Sequence, residues 1–257
     1  MSAVRAAILG GGVDRLAFEE WPWEWAFDPA EGVYETDAAT DPCEDADGIF
    51  RFYTASYCAD GGTSYWRQGT SGDRPTWDQV LAAANNQPAA HIPADDHWDV
   101  GSWAYGTLTE PYTIVMVGYH SSSSAPIELM NAASWVGNNE PRITQNRSNA
   151  SIWDALSGGD FVVTSAGSGN NGVKMSVHAV ASGNASQEVW FFDDENGPDS
   201  PKNATVTFDM ATYTQVSCGV DNTGSADLLF VGALDGLAND ATAKQLALAA
   251  INRWGDF

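Results

Sequence analysis

The chain has 257 residues, of which 44% are hydrophobic and 11% aromatic, so it can bury a large core as one all-β domain or as two smaller ones. Its 34 acidic and 11 basic residues give a net charge of −23, which excludes binding through nucleic-acid phosphates. No run of about 18 apolar residues occurs, so we expect no membrane span. Three cysteines do not make a disulfide framework, although Cys43 and Cys58 lie in a loop-rich region where they are candidates to pair.

The acidity itself admits two interpretations. At about 1 M salt the Debye length falls to about 3 Å, so charge repulsion across an acidic surface is screened. The composition therefore indicates a protein adapted to brine. The alternative is that the carboxylates form divalent-cation sites.

The N-terminal region predicts an arm followed by an aromatic strand. We expect residues 1–17 to form a flexible arm, because Gly10 to Gly12 follow a short apolar patch, and residues 18–257 to form the folded domain. Trp21, Trp23, Trp25 and Phe27 recur at every second residue, which places their rings on one face of a strand. One interpretation makes the three tryptophans a contact surface for a glycan or a partner. The favoured one buries them in the core or under a neighbouring subunit.

The run from Thr113 to Tyr119 predicts a central strand, because it is β-branched and aromatic and apolar on both faces. Earlier in the chain, 48–57 and 87–92 are also predicted as strands. Later, short strands recur between turn signals, and several alternate in polarity, so that Lys174, Ser176 and His178 are expected on a polar face. These later strands are predicted at 126–131, 160–166, 173–181, 187–193, 204–209, 212–218 and 226–234.

The predicted architecture is an all-β, antiparallel two-sheet sandwich with one short C-terminal helix. Strands at this spacing without helices between them favour such a sandwich. Asn239 or Asp240 is expected to cap the helix, and Gly255 to end it.

Three stretches together resemble the laminin-G-like branch of the concanavalin A-like lectin/glucanase jelly rolls. They are 25–28; the succession 66–68, 74–76, 86–89 and 112–117; and 230–234 followed by a helix ending at Arg253-Trp254-Gly255. The resemblance implies a jelly roll that binds or packs, of a kind found in secreted, phage and virus structural proteins. The sequence departs from the family at Trp66-Arg67-Gln68 and at His91-Ile92-Pro93, so no calcium or ligand residue of the family is carried over there.

The sequence predicts no catalytic residues. The carboxylate strand motif of glucanases is absent, and the pair Asp193 and Glu195 precedes a Gly-Pro turn. Calcium is the predicted cofactor, because hard oxygen ligands cluster in one loop. That loop supplies Asp193, Asp194, Glu195, Asn196 and Asp199. Weaker alternatives are the loop with Asp41, Glu44, Asp45 and Asp47 and the group Asp95, Asp96, His97 and Asp99, and surface acidity alone is the competing explanation for all three.

From these observations the predicted function is a non-enzymatic structural or adhesion protein of a virion of a halophilic host, such as a decoration, turret or tail-associated protein. The sandwich, the lack of a secretory-signal pattern and the arm motivate it. The expected partners are other virion proteins, further copies of the chain in a homo-oligomer, and host-surface glycans. The alternatives are a soluble or cell-surface lectin-like module, placed outside the cell, and a glycan hydrolase as the least favoured.

Overall fold

The computed structural model describes most of the chain. The described residues are 16–104, 108–109, 111–121, 127–130, 142–145, 152–154, 161–163, 172–181, 187–192, 202–206, 212–213, 216–220 and 224–255. Nearly all of the predicted arm lies outside them.

The described elements are mainly strands. Through the first half these are β1 (Trp23–Phe27), β2 (Val33–Tyr34), β3 (Arg51–Tyr53), β4 (Tyr65–Arg67), β5 (Thr76–Leu81), β6 (Gln87–Ile92), β7 (His97–Ser102), β8 (Leu108–Thr109) and β9 (Tyr112–His120). Further along are β10 (Ile127–Met130), β11 (Arg142–Gln145), β12 (Ile152–Asp154), β13 (Phe161–Val163), β14 (Gly172–Val180), β15 (Gln187–Phe192), β16 (Lys202–Val206), β17 (Thr212–Tyr213), β18 (Ser217–Val220) and β19 (Ala226–Asp235). Helix α1 spans Asp240–Trp254, and short 3₁₀ turns occupy Phe18–Glu20, Ser71–Asp73 and Ala82–Ala84.

The strands form two large antiparallel sheets, which confirms the mostly-β fold. The first sheet has eight strands in the order β16-β15-β14-β9-β19-β6-β5, and β1 also pairs with β19. The predicted central strand is β9, which lies between β14 and β19 and is buried at almost every position. The second sheet has seven strands in the order β11-β10-β18-β7-β4-β3-β2.

Two apolar cores lie on opposite faces of the first sheet. One contains side chains from both sheets, including Trp25, Trp66 and Trp98, and therefore fills the space between them. The rings of Phe27 and Trp66 stack at 3.6 Å between centroids. The other core lies between the first sheet and α1, where Trp254 packs edge-on against Phe18 at 4.8 Å. The helix thus covers the face of the first sheet that the second sheet leaves open.

Helix α1 begins and ends as its sequence predicts. The side chain of Asn239 accepts a hydrogen bond from the backbone N–H of Thr242 at 3.0 Å, which satisfies one of the donors exposed at a helix start. Gly255 follows the last turn with φ +89°, a conformation that glycine adopts without strain. Among the described residues, no helix has the length and apolar character needed to cross a membrane.

The aromatic strand β1 departs from the predicted single-face arrangement. Trp23 is opposite Leu234 and Trp25 is opposite Ala233, so Glu24 is an extra residue in β1 and forms a β-bulge. The bulge changes which residues share a face. Trp23 packs in the core beneath α1, whereas Trp25 and Phe27 pack between the sheets.

The prediction that β14 exposes a polar face is also wrong. Lys174, Ser176 and His178 are no more than 3% exposed. Ser176 and His178 are opposite Met116 and Ile114, whose side chains belong to the core between the sheets. Burial lowers the pKa of His178 to about 3, so this imidazole is neutral.

The cysteines are free thiols, so the pairing of Cys43 with Cys58 does not occur. Both side chains are buried, as is Cys218. Burial raises the pKa of Cys43 to about 12 and also raises that of Cys218. The thiols of Cys43 and Cys218 are therefore protonated at neutral pH and act as small apolar side chains.

Candidate functional site

An open cleft of about 420 Å³ lies at the edge of the second sheet, next to β2 and β3. Its lining residues come from the turn after β1, from both strands, from the segment that joins them and from the loop after β3. They are Glu31, Gly32, Tyr34, Ala39, Tyr53, Thr54, Ser56 and Gly62. The cleft therefore combines aromatic rings, hydroxyls and a carboxylate.

Glu31 is held in the cleft by the turn between β1 and β2 and by the loop after β3. Its backbone N–H donates to the carbonyl of Asp28 at 2.9 Å, which closes the turn. Its carboxylate oxygen Oε2 accepts two hydrogen bonds from Ser56, one from the backbone N–H and one from the hydroxyl, each at 2.8 Å. The other carboxylate oxygen, Oε1, takes part in neither bond, so it can bind a ligand.

Gly32 fits this turn for a steric reason. Its φ is +74°, and a Cβ at this position would meet the carbonyl oxygen of Tyr53 at 3.0 Å. A side chain at residue 32 would therefore push the turn away from β3, which carries the next wall of the cleft.

The aromatic wall consists of half-buried tyrosines on neighbouring strands. Tyr34 on β2 and Tyr53 on β3 alternate with the core residues Val33 and Phe52, so both point away from the core between the sheets. Their ring centroids are 5.6 Å apart at an interplanar angle of 85°. Tyr65 on β4 extends the row, at 4.8 Å from Tyr53.

The remaining wall, the loop from Thr54 to Ser64, is organised by Asp60. Its carboxylate accepts hydrogen bonds from the hydroxyls of Thr54, Thr63 and Ser64. Burial disfavours the carboxylate, but these hydrogen bonds outweigh it and hold the pKa of Asp60 below its ordinary value. The loop is thus fixed by a satisfied, ionised side chain.

A buried ion pair fixes the turn that carries Glu31. Arg253 at the end of α1 donates to Asp28 Oδ1 at 2.9 Å, and its Nη2 lies 2.8 Å from Asp28 Oδ2. The hydroxyl of Tyr57 donates to the same carboxylate at 2.7 Å, and Glu19 lies 2.8 Å from Arg253. Burial, together with Asp28, raises the pKa of Tyr57.

The predicted calcium loop, Asp193, Asp194, Glu195, Asn196 and Asp199, lies outside the described residues. In the described part of the chain, no group of three or more His, Cys, Asp or Glu side chains is arranged to hold a metal ion, the two alternative acidic groups included. Glu35 lies beside the first of these groups, and a hydrogen bond with Asp41, together with the negative charges of Asp41 and Asp47, raises its pKa.

Trp21, Trp23 and Trp25, the predicted glycan or partner contacts, are 4%, 2% and 0% exposed. Their rings pack against the chain's own side chains, as the burial interpretation of this segment predicts. A role in binding stays a prediction for these three residues, and none of them lines the cleft.

The cleft itself was not predicted. Two local signals indicate parts of it. One is the turn-forming run Asp28-Pro-Ala-Glu-Gly32, and the other is the alternation that places Tyr34 and Tyr53 on the other face of their strands from the core residues Val33 and Phe52. The pairing of Glu31 with Ser56 joins residues 25 apart in the chain, which no local pattern reveals.

No protein-family model matches the chain, and no curated protein matches it in sequence. Among solved structures, it is similar to a GH54 α-L-arabinofuranosidase soaked with 4-nitrophenyl α-L-arabinofuranoside, at 11% identity and a TM-score of 0.44, over 89% of this chain and 63% of that one. It is also similar to an arabinofuranosidase complexed with arabinofuranosyl-α-1,2-xylobiose, at 11% identity and a TM-score of 0.45, over 79% and 51%. A third similarity, to a Trypanosoma rangeli sialidase in complex with 2,3-difluorosialic acid, has 6% identity and a TM-score of 0.44, over 91% and 34%.

These comparisons contradict the predicted non-enzymatic virion protein, because the similar structures are glycoside hydrolases. The same similarities contradict the prediction that the chain is not an enzyme. The chain corresponds to 63% or less of each of those proteins. Identities and TM-scores this low carry no substrate and no catalytic residue over to it.

Proposed function

We propose that the protein acts on a glycan, which binds in the cleft beside Tyr34 and Tyr53, and that Glu31 is the carboxylate used to hydrolyse a glycosidic bond. The proposal rests on the cleft, which is lined both by the Glu31 carboxylate, fixed by two hydrogen bonds, and by the rings of Tyr34 and Tyr53.

The walls suit a sugar because a pyranose or furanose ring presents C–H groups on its faces and hydroxyls around its rim. Tyrosine rings offer an apolar surface to the C–H face and a polar edge to the rim. Glu31, Thr54 and Ser56 add groups that bind hydroxyls. An open cleft also admits a segment of a longer chain rather than enclosing one small molecule.

Glu31 fits the role of a general base. In that role it takes a proton from water as the water oxygen bonds to the anomeric carbon, while the glycosidic C–O bond breaks. The leaving oxygen takes a proton from solvent, which the open cleft admits. Of the described residues that line the cleft, Glu31 is the one carboxylate, so the step depends on it alone.

The experiment is a screen of chromogenic glycosides and oligosaccharides, followed by variants at the cleft. Glu31→Gln keeps the side-chain size, so we expect binding to persist while kcat falls by about 10²–10⁴. Tyr53→Ala removes one ring and should weaken binding by about two- to tenfold, with Tyr53→Phe as the control that keeps the ring. Turnover that survives Glu31→Gln unchanged would remove the catalytic assignment, and a wild-type protein that neither binds nor cleaves any member of the panel would remove the proposed function.

The topology of the sheets and a bound cation also form part of the proposal. We propose that the two sheets form a jelly roll of the concanavalin A-like type, which suits a protein that acts on glycans. Calcium at Asp193, Asp194, Glu195, Asn196 and Asp199 is likewise a proposal, tested by equilibrium dialysis with ⁴⁵Ca²⁺.

A further inference from the structure

Three arginines form a strip beside the cleft, which we call the arginine strip: Arg51 on β3, Arg67 on β4, and Arg74 in the segment before β5. Arg51 and Arg67 are directly opposite each other in the antiparallel pair of β3 and β4. The guanidinium carbons of Arg67 and Arg74 lie 5.2 Å and 4.5 Å from the centre of the Phe50 ring. The strip is therefore continuous across three elements.

This grouping is unusual for a chain of net charge −23 with only 11 basic residues. Like charges placed directly opposite on neighbouring strands destabilise a sheet. Asp37 offsets part of this cost: its Oδ1 lies 2.6 Å from Arg51 Nη2 but 3.8 Å from Arg67 Nε. Asp99, opposite Arg67 on β7, shares its face of the sheet. Against these two acids the strip keeps a local excess of positive charge.

The strip joins the wall of the cleft directly. Arg51 Nη1 donates to the hydroxyl of Tyr53 at 2.7 Å, and the Arg51 guanidinium lies 4.5 Å above the Tyr65 ring. That ring in turn lies over Gly101, where a Cβ would come within 2.1 Å of it. A ligand in the cleft can therefore extend along Tyr53 and Tyr65 towards Arg67.

Arg51 and Arg67 differ in their exposure and in the hydrogen bonds that they already make. The Arg51 side chain is 18% exposed and is bonded through Nε and Nη2 to Asp37, which lowers the pKa of that carboxyl. The Arg67 side chain is 48% exposed, and its 3.8 Å approach to Asp37 exceeds hydrogen-bond length. Guanidinium presents a planar fork of donors that matches the two oxygens of a carboxylate.

From this geometry we infer that the arginine strip binds the carboxylate of an acidic sugar residue, so that the glycan recognised at the cleft contains uronic acid, with Arg67 making the direct contact. The inference rests on the proposed function, since the strip is reached from the same cleft.

The test is calorimetric titration of the full chain with hexuronate oligosaccharides, each paired with its carboxyl-reduced, neutral counterpart. We expect at least one acidic member to bind about tenfold more tightly than its neutral partner, as one charge-assisted contact to an exposed arginine allows. Arg67→Gln should abolish this difference and leave the affinity for the neutral partner unchanged. Asp37→Asn should increase the difference, because it removes the competing carboxylate.

Two control variants distinguish binding at a specific arginine from a general effect of the protein's charge. Arg67→Lys keeps the charge but not the fork, and should recover only part of the preference. Lys244→Gln removes one positive charge from the exposed side of α1, and should leave the preference intact. An equal loss in Lys244→Gln and Arg67→Gln would overturn the inference.

Failure of the inference is distinguishable from failure of the proposed function. Wild-type protein that binds or cleaves neutral and acidic partners equally well would overturn the carboxylate site and leave the glycan cleft standing. Protein that responds to neither class would overturn both.

Discussion

Replacing Arg253 by Met should destabilise the protein by about 3 kcal/mol, because it removes one partner of a buried ion pair. The Arg253 and Asp28 side chains are 11% and 2% exposed, so water cannot replace the lost contacts. Asp28 would keep its hydrogen bonds from Tyr57 and from the backbone N–H of Ala30. These two bonds place the expected cost at the lower end of the range for breaking such a pair.

The assay is denaturant unfolding followed by tryptophan fluorescence, supported by thermal melts. For a chain of this size, about 3 kcal/mol corresponds to a fall in Tm of about 6–12 °C. Because buried pairs are weakly screened, the loss should be nearly the same at low salt and at 1 M salt. Lys244→Met, on the exposed side of the same helix, is the matched control and should change the free energy of unfolding by less than about 0.5 kcal/mol.

A double-mutant cycle decides whether the ion pair is the cause. Asp28→Asn combined with Arg253→Met should cost clearly less than the sum of the two single changes, since each single change leaves the other group buried without its partner. Additive costs, or a loss below about 1 kcal/mol in Arg253→Met, would refute the argument that this pair anchors the turn carrying Glu31.

Two further predictions concern other parts of the fold. A hydrogen bond with Asp227 raises the pKa of His91 above its value in the unfolded chain. The protonated His91 therefore contributes its full stabilisation below about pH 6.5, and this stabilisation is lost as the pH rises through the pKa of the folded protein. Urea midpoints measured from pH 5 to 9 should show this decline in the wild type but not in His91→Gln, and parallel profiles would count against it. Gly118→Ala should cost about 1–3 kcal/mol in chemical denaturation, because its Cβ would meet Ile127 Cδ1 at 2.5 Å. Gly172→Ala should be nearly neutral, because its Cβ would meet no atom of the described residues within 4 Å. Equal costs for the two variants would be the contrary result.

The parts of the fold that local sequence determines were predictable. The apolar run of β9 has no polar face to expose, so its place inside the first sheet follows from its composition. Helix α1 carries its own start and stop signals in Asn239 and Gly255. Strand pairing by contrast depends on distant residues, and β11 and β12 lie in stretches without a clear alternating pattern.

The alternation of polar and apolar residues does not predict which polar residues are buried. Lys174, Ser176 and His178 alternate with apolar residues, which ordinarily indicates a half-exposed strand. They are buried because the core between the sheets covers that face. Nearby, His120 Nε2 and Gln145 Oε1 lie 3.0 Å apart between the two sheets, and Gly118 leaves the space that this contact needs.

The candidate site was harder still to predict, because each of its parts is ordinary in sequence. Glu31 is one of 34 acidic residues, and its distinction comes only from Ser56, which the fold brings to it. The arginine strip depends on the register of β3 with β4, which sets Arg51 opposite Arg67. Neither relation exists until the second sheet has formed.

A crystal structure of the Glu31→Gln variant with a bound oligosaccharide would locate the glycan on the protein. We expect a sugar ring against Tyr34 and Tyr53, with a glycosidic bond beside residue 31. A well-ordered oligosaccharide bound at any other place on the chain, with the cleft holding only solvent, would contradict it.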